Sequence, residues 1–129
     1  MHYNKTKRPV YLNLLKIKLP VTGILSILHR LTGVLMVISL PFLVYLLDLS
    51  LSNSNDFDTA KELFTHPLMK ISLSIYLWFL LHHLMAGIRF LLLDLDLGVE
   101  RQAARHSAFV VNYLGVILFF GILYKVFSV

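Results

Sequence analysis

Residues 31–47 read LTGVLMVISLPFLVYLL and carry no acidic or basic side chain. The five residues before them, Ser26–Arg30, read SILHR and set an imidazole and a guanidinium at the edge of the run. A hydrocarbon slab about 30 Å thick asks for roughly 20 apolar residues in helical form. Two further uncharged runs come close to that length: ISLSIYLWFLLHHLMAGI, residues 71–88, and SAFVVNYLGVILFFGILY, residues 107–124. Backbone polar groups in lipid must be satisfied inside the segment, so each run is expected to be a helix. A closed barrel would need many alternating strands, and the chain has neither the length nor the alternation. The first run extends back through Pro20–Leu28 if Arg30 is tolerated. The sequence therefore predicts an all-α integral membrane protein of three transmembrane helices, near 21–49, 67–95 and 106–127, in a single anchor domain over 1–129. Pro41 lies inside the first helix, where the missing N–H favours a kink.

Composition points the same way. The chain is 57% apolar and 15% charged, against about 25% charged in ordinary globular domains, and its mean hydropathy is +0.74. With no cysteine, it cannot ligate an iron–sulfur cluster itself, form disulfides or hold a thioether-linked haem. A haem held by histidines alone is not excluded. No Gly-rich phosphate loop suggests nucleotide binding. The net charge of +5 reads as a topology signal rather than as affinity for nucleic acid. Lys5, Lys7, Arg8, Lys16, Lys18 and Arg30 precede or open the first run, and Arg89, Arg101 and Arg105 flank the turn between the second and third. Only Lys61, Lys70 and Lys125 fall on the other side, so the N-terminus is expected inside. Charges recur up to Lys18 before the first long apolar run, unlike a cleavable signal peptide, so the N-terminus is expected to be retained. SLSNSNDFD, residues 50–58, reads as a loop.

Two groups of residues invite chemistry. Ser26, His29, Arg30 and Gly33 fall at i, i+3, i+4 and i+7, one face of a helix. Arg30 could simply snorkel to the headgroups, with His29 at the interface. An arginine at this depth more often faces the bundle or a polar cavity, and its fork of donors suits a carboxylate, such as a haem propionate, or a quinone oxygen. In the second run, His82 and His83 stand six or seven positions before Arg89, about 9 Å of helix from it, and so inside the slab. Their side chains diverge by about 100°. His83 shares a face with Phe79, Gly87 and Phe90, and His82 with Trp78, Met85 and Arg89. Either could make a helix–helix hydrogen bond. No carboxylate or cysteine converges with them for an ordinary metal site, whereas a haem with one axial histidine from each of two chains tolerates apolar surroundings. Asp94 and Asp96 are candidate ion-pair partners of Arg89 or Arg101. His2, His66 and His106 read as solvated.

RPVYLNL (Arg8–Leu14), SILHRLTG (Ser26–Gly33) and HLMAGIRFLLLD (His83–Asp94) resemble, in order and spacing, the cytochrome b membrane-anchor subunit of succinate dehydrogenase, respiratory complex II. The resemblance runs from Arg8 to the third span. It implies one part of a heteromeric helix bundle that carries electrons from succinate to ubiquinone, with a haem b shared with a second small anchor subunit. An iron–sulfur subunit and a flavoprotein subunit would complete the complex. The family's axial haem ligand, four residues before the glycine, corresponds to His83. Ser26 and Arg30 correspond to quinone-site residues, and His29 and Arg30 to residues near the haem propionates. Phe90 stands where the family usually has histidine. The expected location is a bacterial inner membrane. The rival expectations are a fumarate reductase anchor and a non-redox helical membrane subunit.

Overall fold

The computed structural model describes residues 18–128 and contains four helices, with no strand among the described residues. Helix α1 spans Val21–Ser52, α2 Ser54–Thr65, α3 Pro67–Asp94 and α4 Arg101–Phe127. Three of them, α1, α3 and α4, are long and apolar enough to cross a membrane. With 32 residues, α1 is about 48 Å long, so its ends emerge from the slab. It runs through both Arg30 and Pro41 without a break. At its start, the Pro20 carbonyl accepts the amides of Gly23 and Ile24. The basic stretch Lys5–Lys16 and the motif Arg8–Leu14 lie outside the described residues.

The loop expected over residues 50–58 is a correction. Helix α1 continues to Ser52, Asn53 alone is extended, and α2 begins at Ser54. The cause is local. Asn53 Oδ1 accepts the Asp56 amide at 3.0 Å, and Asn53 Nδ2 donates to the Asp56 carboxylate at 2.7 Å. The first bond satisfies one orphan amide of the helix start, the second ties the two side chains together, and Asp56 sets a negative charge against the positive end of the helix dipole. Ala60 is the buried residue of α2, and Phe64 lines an apolar groove of about 440 Å³ with Leu46, Leu73 and Phe79. One residue, His66, separates α2 from α3. Its Nδ1 accepts the Leu68 amide, and Pro67 takes the first helical position, where no amide partner is needed. The exposed His66 is thus a helix cap, and the exposed His106 lies within α4 rather than in a loop.

The α3–α4 connection is a Schellman turn. Asp96 adopts φ 60°, the Leu97 amide reaches the Leu92 carbonyl and the Asp96 amide reaches Leu93. Asp96 therefore serves the backbone of this turn.

The spans alternate in direction. Leu25 meets Ala86 and Ala108 in the buried centre, Thr32 meets His83 and Trp78 meets Gly115. Helix α3 is the middle element and packs on both α1 and α4. Lipid tails are as apolar as leucine, so helix association rests on close packing and on polar contacts between helices. Ala86, Ala108 and Gly115 permit the close packing. Trp78 Nε1 donates to the Gly115 carbonyl at 2.8 Å, and a Cβ on Gly115 would lie 2.9 Å from the His82 ring. Gly115→Leu should separate α3 from α4 and destabilise the detergent-solubilised protein by about 1–3 kcal/mol. The fluorescence of Trp78, the chain's single tryptophan, should report that loss at a lower unfolding temperature.

Candidate functional site

The two adjacent histidines part company as their helical geometry requires. His82 turns to α4. It is 1% exposed, and its Nε2 lies 3.4 Å from Asn112 Oδ1. Its ring sits beside Trp78 and over Gly115. Its Nδ1 is buried and has no partner among the described residues. His83 turns to α1. Its Nδ1 lies 3.0 Å from the His29 carbonyl oxygen and 3.3 Å from Thr32 Oγ1.

That pair of contacts selects the tautomer of a neutral His83 ring. A carbonyl oxygen only accepts, so Nδ1 carries a proton and donates it, and in the neutral imidazole the lone pair falls on Nε2. Nε2 makes no hydrogen bond among the described residues. The ring fits because position 33 is glycine: a Cβ there would stand 2.9 Å from His83 Cε1. His83 therefore offers a basic nitrogen inside the membrane-spanning bundle, held by a backbone carbonyl on the neighbouring helix.

Ser26, His29, Arg30 and Gly33 share one face in sequence but divide their work. The His29 ring turns inward and stacks on His83, with centroids 4.0 Å apart and planes 16° apart, and meets Phe90 edge-on at 5.2 Å. Gly87 faces that ring: a Cβ on it would lie 3.5 Å from His29 Nε2. The space beside His83 is thus left by Gly33, while Gly87 makes room for His29. Arg30 is exposed and Ser26 half-buried. Arg30 joins His29, Gly33, Val34, Val37, Ile38 and His83 around an open hollow of about 490 Å³. Its walls are mostly aliphatic, with two imidazoles and one guanidinium among them. That donor set fits a flat apolar macrocycle with anionic substituents: an imidazole nitrogen for a metal, aliphatic walls for a ring, a cation for a carboxylate.

Arg89 needed the structure to be placed. It is 6% exposed. Its Nε donates to Ser107 Oγ and its Nη2 to the Ala104 carbonyl, both at 2.9 Å. The guanidinium also lies 5.4 Å from the Phe90 ring. These donors go to α4 rather than to Asp94 or Asp96. Thr32 and Asn112 were likewise missed by the sequence reading. Each is a lone hydrogen-bonding side chain within an apolar stretch, and that is the signal that could have found them. For Arg89 the signal is the small-residue face Ala104, Ser107 and Ala108, where another helix can approach closely.

The sequence model of the succinate dehydrogenase/fumarate reductase transmembrane subunit matches residues 4–123. Among relatives, the succinate dehydrogenase cytochrome b556 subunit of Coxiella burnetii is 34% identical over 116 residues, covering 87% of this chain and 93% of that protein. The subunit of the same name from Paracoccus denitrificans is 30% identical, with 81% of each chain covered. That of Rickettsia felis is 34% identical, covering 90% of this chain and 89% of its own.

The contact between Gly33 and His83 can be isolated. Gly33→Ala should destabilise the protein by about 1–2 kcal/mol, because the ring must leave its carbonyl acceptor to make room. In a His83→Ala background the same change should become neutral or stabilising by up to about 1 kcal/mol, since alanine outranks glycine in a helix. Thermal unfolding of the four proteins of this cycle in detergent measures both values.

Proposed function

The chain belongs to the succinate dehydrogenase/fumarate reductase transmembrane subunit family, and from that premise we propose that it contributes one axial ligand of a b-type haem and part of a ubiquinone-reduction site. It is a multi-pass membrane anchor. The relatives' shared name, cytochrome b556 subunit, supports the haem. The observation that carries the reading is the state of His83: Nδ1 committed to the His29 carbonyl, Nε2 left with its lone pair, and no side chain at Gly33 to crowd the ring. His83, not His82, is the proposed ligand, because His83 lines the open hollow, whereas His82 is 1% exposed, with Nε2 on Asn112 and Nδ1 enclosed in the α3–α4 contact.

The haem, when bound, supplies a one-electron store within the anchor. His83 would hold its iron, the aliphatic wall of Val34, Val37 and Ile38 would exclude water, and Arg30 would meet a propionate or the quinone. His29 lines the same hollow and buttresses the ligand by stacking on it. For ubiquinone as substrate, Arg30 is the cation that favours the negative charge developing on a carbonyl oxygen during reduction. Ser26, one helical turn away, is the hydroxyl donor to that oxygen. Another small anchor subunit would supply the other protein ligand of the haem. An iron–sulfur subunit delivers electrons that a flavoprotein subunit takes from succinate, and this chain has no cysteine with which to hold an iron–sulfur cluster itself. The succinate-to-quinone direction is favoured over a fumarate reductase anchor by the names of the relatives.

We place the anchor in a bacterial inner membrane as one domain over 1–129, with the N-terminus inside. Lys18, Arg101 and Arg105 cluster at the end of the bundle where α1 and α4 begin, and Asp48, Asp56, Asp58 and Glu62 at the other. Phe90, in the position where family members carry histidine, supplies an aromatic edge to His29.

The test is spectroscopic and kinetic. His83→Ala should abolish the low-spin haem spectrum of the assembled complex, while His82→Ala retains it. The opposite pattern would assign the ligand to His82. Arg30→Leu should slow ubiquinone reduction by roughly 100-fold and Ser26→Ala by roughly tenfold, with succinate oxidation by an artificial dye unchanged. Equal loss of both activities would mark a failure of assembly and count against a quinone role.

A further inference from the structure

Every described serine or threonine hydroxyl bound within α1 bonds to a carbonyl three or four residues back on its own helix, as Ser39 does to Met36. Thr32 does this and something more. It is 1% exposed. Its single hydroxyl proton lies between the carbonyls of Leu28 at 2.9 Å and His29 at 3.0 Å. The proton is therefore committed to α1, and the lone pairs of Oγ1 are what it presents to His83 Nδ1 at 3.3 Å. The same Nδ1 donates to the His29 carbonyl at 3.0 Å. One N–H is thus shared between two acceptors on one turn of α1. The His29 ring stacks over the imidazole, and glycine at 33 lets its edge lie against the helix. Four features of three α1 residues, His29, Thr32 and Gly33, converge on one side chain of α3.

We propose that this turn is a bracket that sets the electronic character of His83, with Thr32 as a positioning residue that tunes the reduction potential of the metal group bound at Nε2. The proposal rests on the reading of His83 as a haem ligand. Acceptors on the remote N–H draw its proton away and make the imidazole more electron-rich. An electron-rich axial ligand favours ferric over ferrous iron and so lowers the potential. Thr32 is 1% exposed and the second acceptor is a side chain, so substitution can remove it while the His29 carbonyl remains.

The experiment uses the assembled complex in its native membrane. Redox titration of the haem absorbance should place the midpoint potential of Thr32→Val above that of the unaltered complex, and that of Thr32→Ser at the unaltered value. A merely structural threonine would change the amount of complex and leave the potential where it was. That result, with His83 shown to be the ligand by loss of the spectrum in His83→Ala, overturns the bracket alone. A complex without haem, or a spectrum unchanged in His83→Ala, overturns the ligand reading and the bracket with it. Should the valine variant fail to accumulate, pulsed EPR of the remote imidazole nitrogen in the unaltered oxidised complex decides the matter. A quadrupole coupling of a strongly hydrogen-bonded N–H supports the bracket, and that of a free N–H overturns it.

Discussion

A donor inside a hydrocarbon slab has no water to turn to, and the whole bundle is arranged around that fact. The backbone solves it by becoming helical. The side chains solve it by reaching between helices: Thr32 and the His29 carbonyl to His83, Asn112 to His82, Trp78 to the Gly115 carbonyl; at the edge of the slab Arg89 does the same to Ser107 and Ala104. Apolar faces alone would slide and rotate against one another with little penalty, since lipid competes equally for each of them. The polar contacts fix the rotation of α3, and with it which neighbour each of its histidines meets. A shift of α3 by one residue would turn its side chains by about 100° and exchange those assignments.

Function and architecture use the same atoms. The ring of His83 is a helix–helix contact on its Nδ1 side and a candidate ligand on its Nε2 side. The two roles support each other, because the structural bond selects the tautomer that the ligand needs. His82, one position away, has given its Nε2 to the α4 contact. The division between His29 and Arg30 has a similar origin. Adjacent residues on a helix point in different directions, so the imidazole packs inward and the guanidinium remains at the rim of the hollow.

Much of this was legible in the residues. Uncharged runs at the length of a bilayer core gave the three spans, and the i, i+4 spacing of His29 and Gly33 placed together two residues of α1 that meet α3. The chain's membership of its family was legible in SILHRLTG and HLMAGIRFLLLD. What was not legible had two physical causes. Some of it was short-range backbone chemistry hidden in polar composition: Asn53 and Asp56 look like loop residues but cap a helix, and Asp96 looks like an ion-pair partner but closes a Schellman turn. The rest depended on how the helices pair. Nothing in the sequence around Arg89 says that its acceptors are Ser107 and Ala104, and no local pattern says that Gly33 faces His83 while Gly87 faces His29.

The partners of Arg89 also set a timetable. They lie 15 and 18 residues later in the chain, on a helix that has yet to emerge when Arg89 leaves the ribosome. At typical synthesis rates of about 5–20 residues per second, the guanidinium waits roughly one to three seconds before Ala104 follows it. During that interval the end of α3 has only lipid headgroups and water to satisfy it. Arrival of the first turns of α4 offers the guanidinium internal acceptors and lets α3 settle against the bundle. Helix α4 is thus the clasp of α3, and the middle helix is secured once the opening turns of its successor are in place.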